Sequence, residues 1–319
     1  MAQETPIHRY IYTFNYEYHH SGLCKLESRQ LFDKEEKDKL LFSNIEINPS
    51  ISSFIKNRFE ILTDSESFSK LLKNIKEMDI RMEGFKAEYM IIDGDYIEYN
   101  ERREKLKDIG FSIEGIPNFD KPTITYSLCN YNNVWYFGVL TKQDNDFRKH
   151  KEKPYSFSNS IDLNIAKTLV SIASKGSINN KLLDACCGVG TILLEGCIAD
   201  FNIEGCDINS NACNHAKNNL AHYGYSANIH CTDIQELNKK YDSIIIDLPY
   251  NLYSYSNETI TFNILDSAAK LADRIVIVSI SDIKPMIIKS RLEISDFCTV
   301  EKRGRSKFAR KIWVCEKET

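Results

Sequence analysis

The C-terminal half of the chain alternates short apolar runs with amphipathic stretches. The apolar runs are too short for helices, so each predicts a buried strand, and the stretches between them repeat apolar residues at helical spacing, as Ala212, Ala216 and Leu220 do. Alternating strands and helices predict a doubly wound α/β fold with a mostly parallel sheet. The predicted strands lie at 181–184, 202–207, 228–233, 243–246 and 274–279, the helices at 161–174, 191–199, 212–223, 261–271 and 284–292, and a terminal antiparallel hairpin at 297–302 and 311–315.

The N-terminal part mixes strands and helices in short succession. Residues 10–18 alternate aromatic with mostly non-aromatic side chains, which predicts a strand with one aromatic face. Aromatic side chains on a sheet can stack on bases, although more often they face a core. A charged amphipathic helix at 98–109 should end at Gly110, because glycine suits the left-handed position after a helix. The order of the elements predicts an α+β module.

The length of 319 residues is enough for two domains. Between residues 141 and 153 polar and charged side chains dominate. We therefore expect an N-terminal α+β domain at 1–142, a basic linker at 143–160 and an α/β domain at 161–319. The linker is either a solvated connector or a phosphate-binding segment, and its charge alone does not decide between them.

Composition narrows the possible functions. The net charge is −4, so nucleic acid binding would have to rely on local basic clusters. The ten cysteines include no Cys-x-x-Cys pair, which disfavours a zinc site and favours a reducing, cytoplasmic environment. We expect no signal peptide, and the sequence contains no apolar run near the roughly 18 residues of a membrane helix. We expect a cytoplasmic protein without a metal or a membrane partner.

The most informative motif joins the first predicted strand of the α/β domain to the next helix. It runs from Asp184 through Gly188 and Gly190 to Thr191. Glycines allow a ligand to approach the backbone, and the helix N-terminus adds a positive field. A dinucleotide fingerprint needs a third glycine where Leu193 stands, and a P-loop needs a lysine before the threonine. A carboxylate at this position suits a cationic ligand such as S-adenosylmethionine (SAM).

Four successive predicted strands end at or near an aspartate. These are Asp184, Asp207, Asp233 and Asp247. Ligands of open α/β sheets bind at the carboxyl ends of the strands. Asp207 lies roughly 20 residues after the glycine turn, the spacing at which an acid reaches ribose hydroxyls. Asp233 is placed to bond an adenine amino group. The pattern therefore predicts an adenosine-containing ligand.

The motif Asp184-x-x-Cys187-Gly188-x-Gly190-Thr191, followed by Asp207 and Asp247-x-Pro249-Tyr250, resembles the class I SAM-dependent amino-methyltransferases. It is most similar to the THUMP-associated tRNA guanine-N2 methyltransferases. The resemblance covers the C-terminal half and the approach segment 150–157. The family often has Asp-Pro-Pro-Tyr-Gly where this chain has Asp-Leu-Pro-Tyr-Asn. By position and topology, the resemblance implies an N-terminal module that contains a ferredoxin-like segment and a THUMP domain and that binds tRNA.

The resemblance also implies site residues. The expected SAM-binding residues are Asp184, Cys187, Gly188, Gly190, Thr191, Asp207, Ile208, Asp233 and Ile234. The expected acceptor site consists of Asp247, Pro249 and Tyr250. Two basic clusters are expected to bind RNA: Arg148, Lys149, Lys151 and Lys153, and then Arg303, Arg305, Lys307 and Arg310.

The expected activity is SAM-dependent methylation of an exocyclic amine in RNA, most specifically N2 of guanine in tRNA. The protein would act as a monomer or a homodimer. Asp247 would accept a hydrogen bond from the amine, and Tyr250 would stack on a flipped base. The alternatives are a DNA or ribosomal RNA amino-methyltransferase, acting on adenine N6 or guanine N2, and a non-catalytic RNA-binding paralogue. A dehydrogenase is disfavoured by Leu193.

Overall fold

The computed structural model describes residues 9–157, 160–249, 255–301 and 309–318, and of residues 255–257 only the backbone. In chain order the elements are β1 (Tyr10–Phe14), α1 (Ser21–Phe32), β2 (Leu40–Ser43), β3 (Ile55–Ser65), α2 (Phe68–Glu77), β4 (Phe85–Tyr89), α3 (Tyr99–Gly110), β5 (Ile124–Tyr131), β6 (Val134–Lys142), α4 (Leu163–Ser174), β7 (Lys181–Ala185), α5 (Thr191–Ile198), β8 (Asn202–Cys206), α6 (Ser210–His222), β9 (Ile229–His230), β10 (Ser243–Asp247), α7 (Tyr255–Leu271), β11 (Arg274–Ser279), α8 (Lys284–Lys289), β12 (Leu292–Glu301) and β13 (Ala309–Lys317).

The described chain divides into two compact units. The first contains residues 9–15, 36–49 and 54–143, and the second contains 16–35, 50–53 and the residues from 144 onward. Helix α1 therefore belongs to the second unit, although strands of the first unit flank it in sequence. The division at residue 142 that the sequence suggests does not anticipate that residues 16–35 and 50–53 belong to the second unit.

The first unit is built on a six-stranded sheet of order β2-β1-β3-β6-β5-β4. Neighbouring strands are antiparallel except β4 and β5. Helices α2 and α3 pack against the sheet through Leu71, Ile75 and Ile109, which are fully buried with Phe137. Strand β1 is buried along its whole length, so its tyrosines face the core and are not available for stacking on bases. The expected α+β architecture is therefore present in this unit.

Two turns of this unit show how local chemistry fixes the chain. Asn132 and Asn133 join β5 to β6 and both have left-handed backbone angles, which asparagine tolerates. The expectation for Gly110 is wrong in detail. Helix α3 includes Gly110, and Phe111 follows it as the C-cap in a right-handed conformation. The glycine therefore has no left-handed role here.

The second unit contains a seven-stranded sheet of order β12-β13-β11-β10-β7-β8-β9. The strands from β7 to β11 are mutually parallel, and β12 and β13 complete the sheet in antiparallel orientation. This confirms the predicted doubly wound fold with its terminal hairpin. Strands β10 and β11 are almost entirely buried, because helices cover both faces of a parallel sheet. Among the helices that the structure describes, none combines the length and the apolar character of a membrane span.

Candidate active site

The site begins where the order of the parallel strands reverses. From β7 the chain moves outward to β8 and β9, and it then returns to place β10 and β11 on the other side of β7. Adjacent parallel strands whose connections leave in opposite directions open a crevice at their carboxyl ends. Asp184 near the end of β7 and Asp247 at the end of β10 lie at this switch point. Ile245 is the register partner of Asp184.

The turn after β7 depends on left-handed backbone conformations. Cys186, Gly188 and Gly190 have φ values of 64°, 53° and 79°. The non-glycine Cys186 holds this uncommon conformation directly beside the site. A Cβ at Gly190 would lie 3.0 Å from the Cβ of Ala216 on α6, whereas a Cβ at Gly188 would meet open space. The two glycines therefore act differently: Gly190 permits close packing of α6, and Gly188 keeps the turn open toward a ligand.

Helix α5 approaches β8 closely although Leu193 occupies the place of the third glycine in a dinucleotide fingerprint. A Cβ at Gly205 of β8 would lie 2.8 Å from Cδ1 of Leu193 and 3.1 Å from the sulfur of Cys187. The strand thus supplies the missing glycine, and the leucine side chain fills the space. Close contact between helix and sheet is achieved without the dinucleotide pattern.

A cavity of about 710 Å³ opens at these strand ends, a size typical of small-molecule sites. No lysine, arginine or histidine is found among the described residues that line it. Three of the lining residues are aspartates, so the cavity favours a cationic ligand. The described lining residues are Phe157, Ser160, Ile161, Asp184, Cys186, Cys187, Gly188, Val189, Thr191, Ile192, Asp207, Asn209, Ala212, Asp247, Leu248 and Pro249.

Asp184 is the most unusual of these carboxylates. Only 1% of its surface is exposed, and within the described part of the chain neither carboxylate oxygen has a hydrogen-bond partner. Burial, and then the negative charges of Asp247 and Asp207, raises the pKa of Asp184 well above its ordinary value. A buried carboxylate without a partner is unfavourable. Because Asp184 lines the cavity, a ligand that carries a positively charged hydrogen-bond donor would satisfy its carboxylate oxygens.

Asp207 is held in place by backbone groups. One carboxylate oxygen accepts a hydrogen bond from the N–H of Gly188 at 2.8 Å, and the other accepts one from the N–H of Asn209 at 2.8 Å. The side chain therefore ties the glycine turn to the end of β8. Each oxygen retains a lone pair that can accept a further bond from a ligand hydroxyl.

The segment after β10 is fixed on one side and open on the other. Leu248 is buried, and its N–H donates to the carbonyl of Val278 on β11. Pro249 is exposed, and Asp247 is half-buried at the edge of the cavity. The buried Leu248 holds the backbone, and its neighbours Asp247 and Pro249 line the same cavity as Asp184.

A buried contact between two polar side chains attaches the approach segment to α5. Nδ1 of His150 lies 2.7 Å from Oε1 of Glu195, and both side chains are fully buried. The rings of Tyr223 and Tyr225 pack edge-on against His150. Burial is the main cause that raises the pKa of Glu195, and the bond with His150 opposes it. This contact fixes the segment that leads to Phe157 at the cavity.

One part of the chain is similar to a known protein family. Residues 151–282 match the RMKL-like methyltransferase domain family. This part of the chain is similar to the methyltransferase domain of that family. This match covers the approach segment, the glycine turn and the end of β10, and it confirms the methyltransferase part of the resemblance seen in the sequence.

The proteins that are similar to the chain include a curated relative and a solved structure. A tRNA (guanine(10)-N2)-dimethyltransferase of Methanothermobacter thermautotrophicus is 28% identical over 138 residues, which are 41% of this chain and 40% of that protein. The match thus spans well under half of the relative's length. The crystal structure of TrmN from Thermus thermophilus has 13% sequence identity, and the alignment covers 98% of this chain and all of TrmN with a TM-score of 0.51. That likeness supports the fold of both parts of the chain.

The methyltransferase domain places most of the predicted ligand residues on one cavity. Those that line it are Asp184, Cys187, Gly188, Thr191, Asp207, Asp247 and Pro249. Gly190, Ile208, Asp233 and Ile234 are not among its lining residues. Ile208 is highly exposed, and the side chain of Asp233 accepts a hydrogen bond from the N–H of Gln235. Tyr250 lies outside the described residues. The binding roles of all these residues stay predictions.

The basic residues expected to bind RNA fall into three groups. Arg148, Lys149 and Lys151 are exposed, and Lys153 is half-buried, with burial lowering its pKa. Arg303, Arg305 and Lys307 lie outside the described residues. Arg310 is buried in β13, with 6% of its surface exposed. Arg310 therefore does not present its guanidinium to solvent as expected.

One polar residue of the cavity, Asn209, was not found by sequence reasoning. Asn209 lines the cavity and also caps α6 by accepting hydrogen bonds from Asn211 and Ala212. An asparagine directly before a helical pattern is a signal for the cap but not for the cavity. Within the described ranges, no group of three or more His, Cys, Asp or Glu side chains is arranged to hold a metal ion.

Proposed function

We propose that the protein is a SAM-dependent methyltransferase that acts on the exocyclic amine of a nucleobase in RNA, most specifically N2 of guanine in tRNA. The observation that carries this proposal is the buried, unpaired Asp184 in an anion-lined cavity, with Asp247 at the end of the adjacent strand. The methyltransferase domain family supports the reaction class. The relative described as a tRNA (guanine(10)-N2)-dimethyltransferase supports the substrate class.

The donor set fits SAM. The ammonium group of SAM is a charged donor that can satisfy the orphaned oxygens of Asp184, and such charge-assisted bonds are the strong ones. Asp207, whose carboxylate is held by the N–H groups of Gly188 and Asn209, would accept hydrogen bonds from the ribose hydroxyls of SAM. The first turn of α5 begins at Thr191 on the cavity wall. When bound, SAM supplies a methyl group that its sulfonium already activates.

Asp247 is the residue best placed to act on the acceptor. The amino group of guanine is a weak nucleophile because its lone pair is delocalised into the ring. A carboxylate that accepts a hydrogen bond from this group favours the pyramidal form and can take the proton that leaves on transfer. Pro249 is exposed at the same edge, where a base extruded from its stack would enter. Positioning of amine and methyl supplies much of the remaining rate enhancement.

RNA is the macromolecule that the surface charge favours near this site. Arg148, Lys149 and Lys151 are exposed in the short 3₁₀ helix Asp146–Glu152 that precedes the cavity-lining Phe157. Cations on such a segment neutralise backbone phosphates. The Nζ of Lys149 lies 5.8 Å from the ring centroid of Tyr225, so an aromatic surface adjoins this charge. Bases of single-stranded or looped RNA stack on such rings.

The experiment that tests the proposal incubates purified protein and labelled SAM with unmodified total tRNA, and in parallel with ribosomal RNA and duplex DNA. Nucleoside analysis should find N2-methylguanosine in the tRNA sample. Label in ribosomal RNA or DNA alone would replace tRNA with another substrate. Binding of SAM without transfer to any of the three would support a non-catalytic RNA-binding role instead.

A further inference from the structure

Asn219 lies in the interior of the domain and bonds to two segments of the cavity wall. Its side chain is fully buried on α6. Oδ1 accepts a hydrogen bond from the N–H of Tyr155 at 3.0 Å, and Nδ2 donates to the carbonyls of Tyr155 and Val189, each at 2.9 Å. Three of the four hydrogen bonds available to an asparagine amide are thus made.

Both partners of Asn219 adjoin the ligand space. Val189 stands between the two glycines of the turn and lines the cavity. Tyr155 lies two residues before Phe157, which lines the cavity with Ser160 and Ile161. Tyr155 has no strand or helix to hold its backbone, since it belongs to an irregular segment. The amide of Asn219 supplies the hydrogen bonds that secondary structure would otherwise provide.

A second contact on α6 supports the same segment. The ring of Tyr155 stacks on His215, with the centroids 4.3 Å apart and the planes 10° from parallel. His215 lies four residues before Asn219, so both side chains lie on the same face of α6. Stacking fixes the side chain of Tyr155, and the amide of Asn219 fixes its backbone. With the His150–Glu195 pair upstream, the approach segment is attached to α5 and to α6.

We propose that Asn219 is a positioning residue for the cofactor: it sets the distance between the glycine turn and the approach segment, and thereby the width of the cavity that receives SAM. The inference rests on the proposed function, because it takes SAM as the ligand. Loss of the amide leaves the carbonyl of Val189 without this partner in a buried place, and the N–H and carbonyl of Tyr155 without theirs in a partly buried one. The approach segment should then move away from the turn while the sheet stays intact.

The test compares Asn219→Ala and the milder Asn219→Ser with Asn218→Ala. Asn218 is the adjacent residue on α6 and is exposed, so its variant is a matched control. Titration calorimetry with SAM should show at least about tenfold weaker binding for the Asn219 variants and wild-type binding for the control. Hydrogen exchange of the peptide at 154–157 should become faster only in the Asn219 variants. Exchange in β7 and β10 should stay slow.

A purely structural role predicts a different result. Faster exchange throughout the domain, with wild-type SAM affinity of the folded fraction, would overturn the positioning role. If neither Asn219 variant folds, the wild-type protein still decides, because SAM should slow exchange of the Tyr155 amide, and unchanged exchange contradicts the inference. Wild-type protein that binds no SAM would instead overturn the proposed function, while local exchange in the variants still tests whether Asn219 holds the segment.

Discussion

Asp184 and Asp247 occupy the ends of neighbouring parallel strands, and the charge of Asp247 helps to raise the pKa of Asp184. Two carboxylates that face one cavity repel each other and lower the stability of the ligand-free protein. A cation between them reverses this effect. The pair therefore links stability to ligand binding, and its two members can be tested separately.

Replacing Asp184 with asparagine should weaken SAM binding and stabilise the ligand-free protein. The amide keeps the shape of the side chain but removes the charge that attracts an ammonium group, so affinity should fall about tenfold to a hundredfold. The melting temperature without ligand should rise, because a buried unpaired charge is lost. Calorimetry and thermal unfolding measure the two effects. The exposed Asp200→Asn variant should match the wild type in both.

The stabilisation by Asp184→Asn should depend on pH. The pKa of Asp184 is higher in the folded state than in the unfolded state, so at intermediate pH the folded protein holds a proton that the unfolded chain has lost. Wild-type stability therefore falls as pH rises through this window. The advantage of the variant should be greatest at neutral and alkaline pH and vanish below the ordinary pKa of 3.8. A constant advantage across the pH range would contradict a charged, buried Asp184.

Asp247→Asn should abolish methyl transfer and leave SAM binding nearly unchanged. The amide can still occupy the space, but it cannot take the proton of the target amine. Single-turnover transfer to tRNA and calorimetry with SAM give the two readings for the same preparation. Equal loss of both would mean that Asp247 serves the cofactor rather than the acceptor.

The two glycines of the turn should differ in their tolerance of alanine. Both have left-handed φ angles, which cost a non-glycine residue about 1–2 kcal/mol. At Gly190 the new methyl also meets Ala216 at 3.0 Å, whereas at Gly188 it meets open space. Denaturant unfolding should therefore show a larger loss of stability for Gly190→Ala than for Gly188→Ala. Gly188→Asn should lose less stability than Gly188→Ala, because asparagine tolerates this conformation. An equal loss at both positions would refute the packing role of Gly190.

Gly110→Ala should stabilise the first unit. The residue ends α3 without a left-handed φ, and a Cβ there would meet nothing within 4 Å. Alanine restricts the unfolded chain and favours the helix, so we expect a gain of about 0.5–1 kcal/mol in the free energy of unfolding. Gly138→Ala is the opposite control, since its Cβ would lie 1.9 Å from the carbonyl oxygen of Glu60. A loss of stability for Gly110→Ala would contradict the expectation that alanine fits the helix at this position.

Glu204 should contribute to stability at neutral pH. Burial alone would raise its pKa, but hydrogen bonds from Lys239, His230, Tyr241 and Asn228 lower it to about 2. Because the unfolded pKa is higher, this contribution is complete above about 4.5 and is lost as pH falls toward 2. Glu204→Gln should lose on the order of 1–3 kcal/mol at pH 7 and little at pH about 2.

The control for this prediction is an exposed acid of the same unit, Glu258 on α7. Thermal unfolding at neutral pH should show a much smaller loss of stability for Glu258→Gln than for Glu204→Gln. A Glu204→Gln protein that loses the same stability at acid and neutral pH would show that the amide fails to fit, and not that a charge was lost.

The strand ends were predictable from sequence because apolar runs identify buried strands, and a carboxylate after such a run must lie at the sheet edge. Asp184, Asp207 and Asp247 meet at one cavity for this reason. Asp233 does not, because β9 has only two residues and the chain then enters the 3₁₀ helix Ile234–Glu236, where the Asp233 side chain caps the turn. Local periodicity does not measure how long a strand pairs with its neighbour.

The pattern of apolar and polar residues does not reveal contacts between residues that are far apart in the chain. In the sequence, Asn219 is one of several polar residues on α6. Only the fold shows that its amide group forms hydrogen bonds with Tyr155 and Val189. Gly205 likewise reads as a weak position in a strand, although it accommodates Leu193. The helix α1 belongs to the second unit for reasons that lie in its tertiary contacts, such as the ion pair between Arg29 and Asp296. Such contacts join residues far apart in the chain.

The position of β13 between β11 and β12 has a consequence for synthesis on the ribosome. Strand β12 emerges first, but its backbone groups find their sheet partner only when β13 has left the exit tunnel and inserted beside β11. Until then, β11 and β12 each present an open edge to other chains. Among the described strands of this sheet, β13 follows all the others in sequence, and it covers the open edges of β11 and β12 and so protects the nascent domain from aggregation.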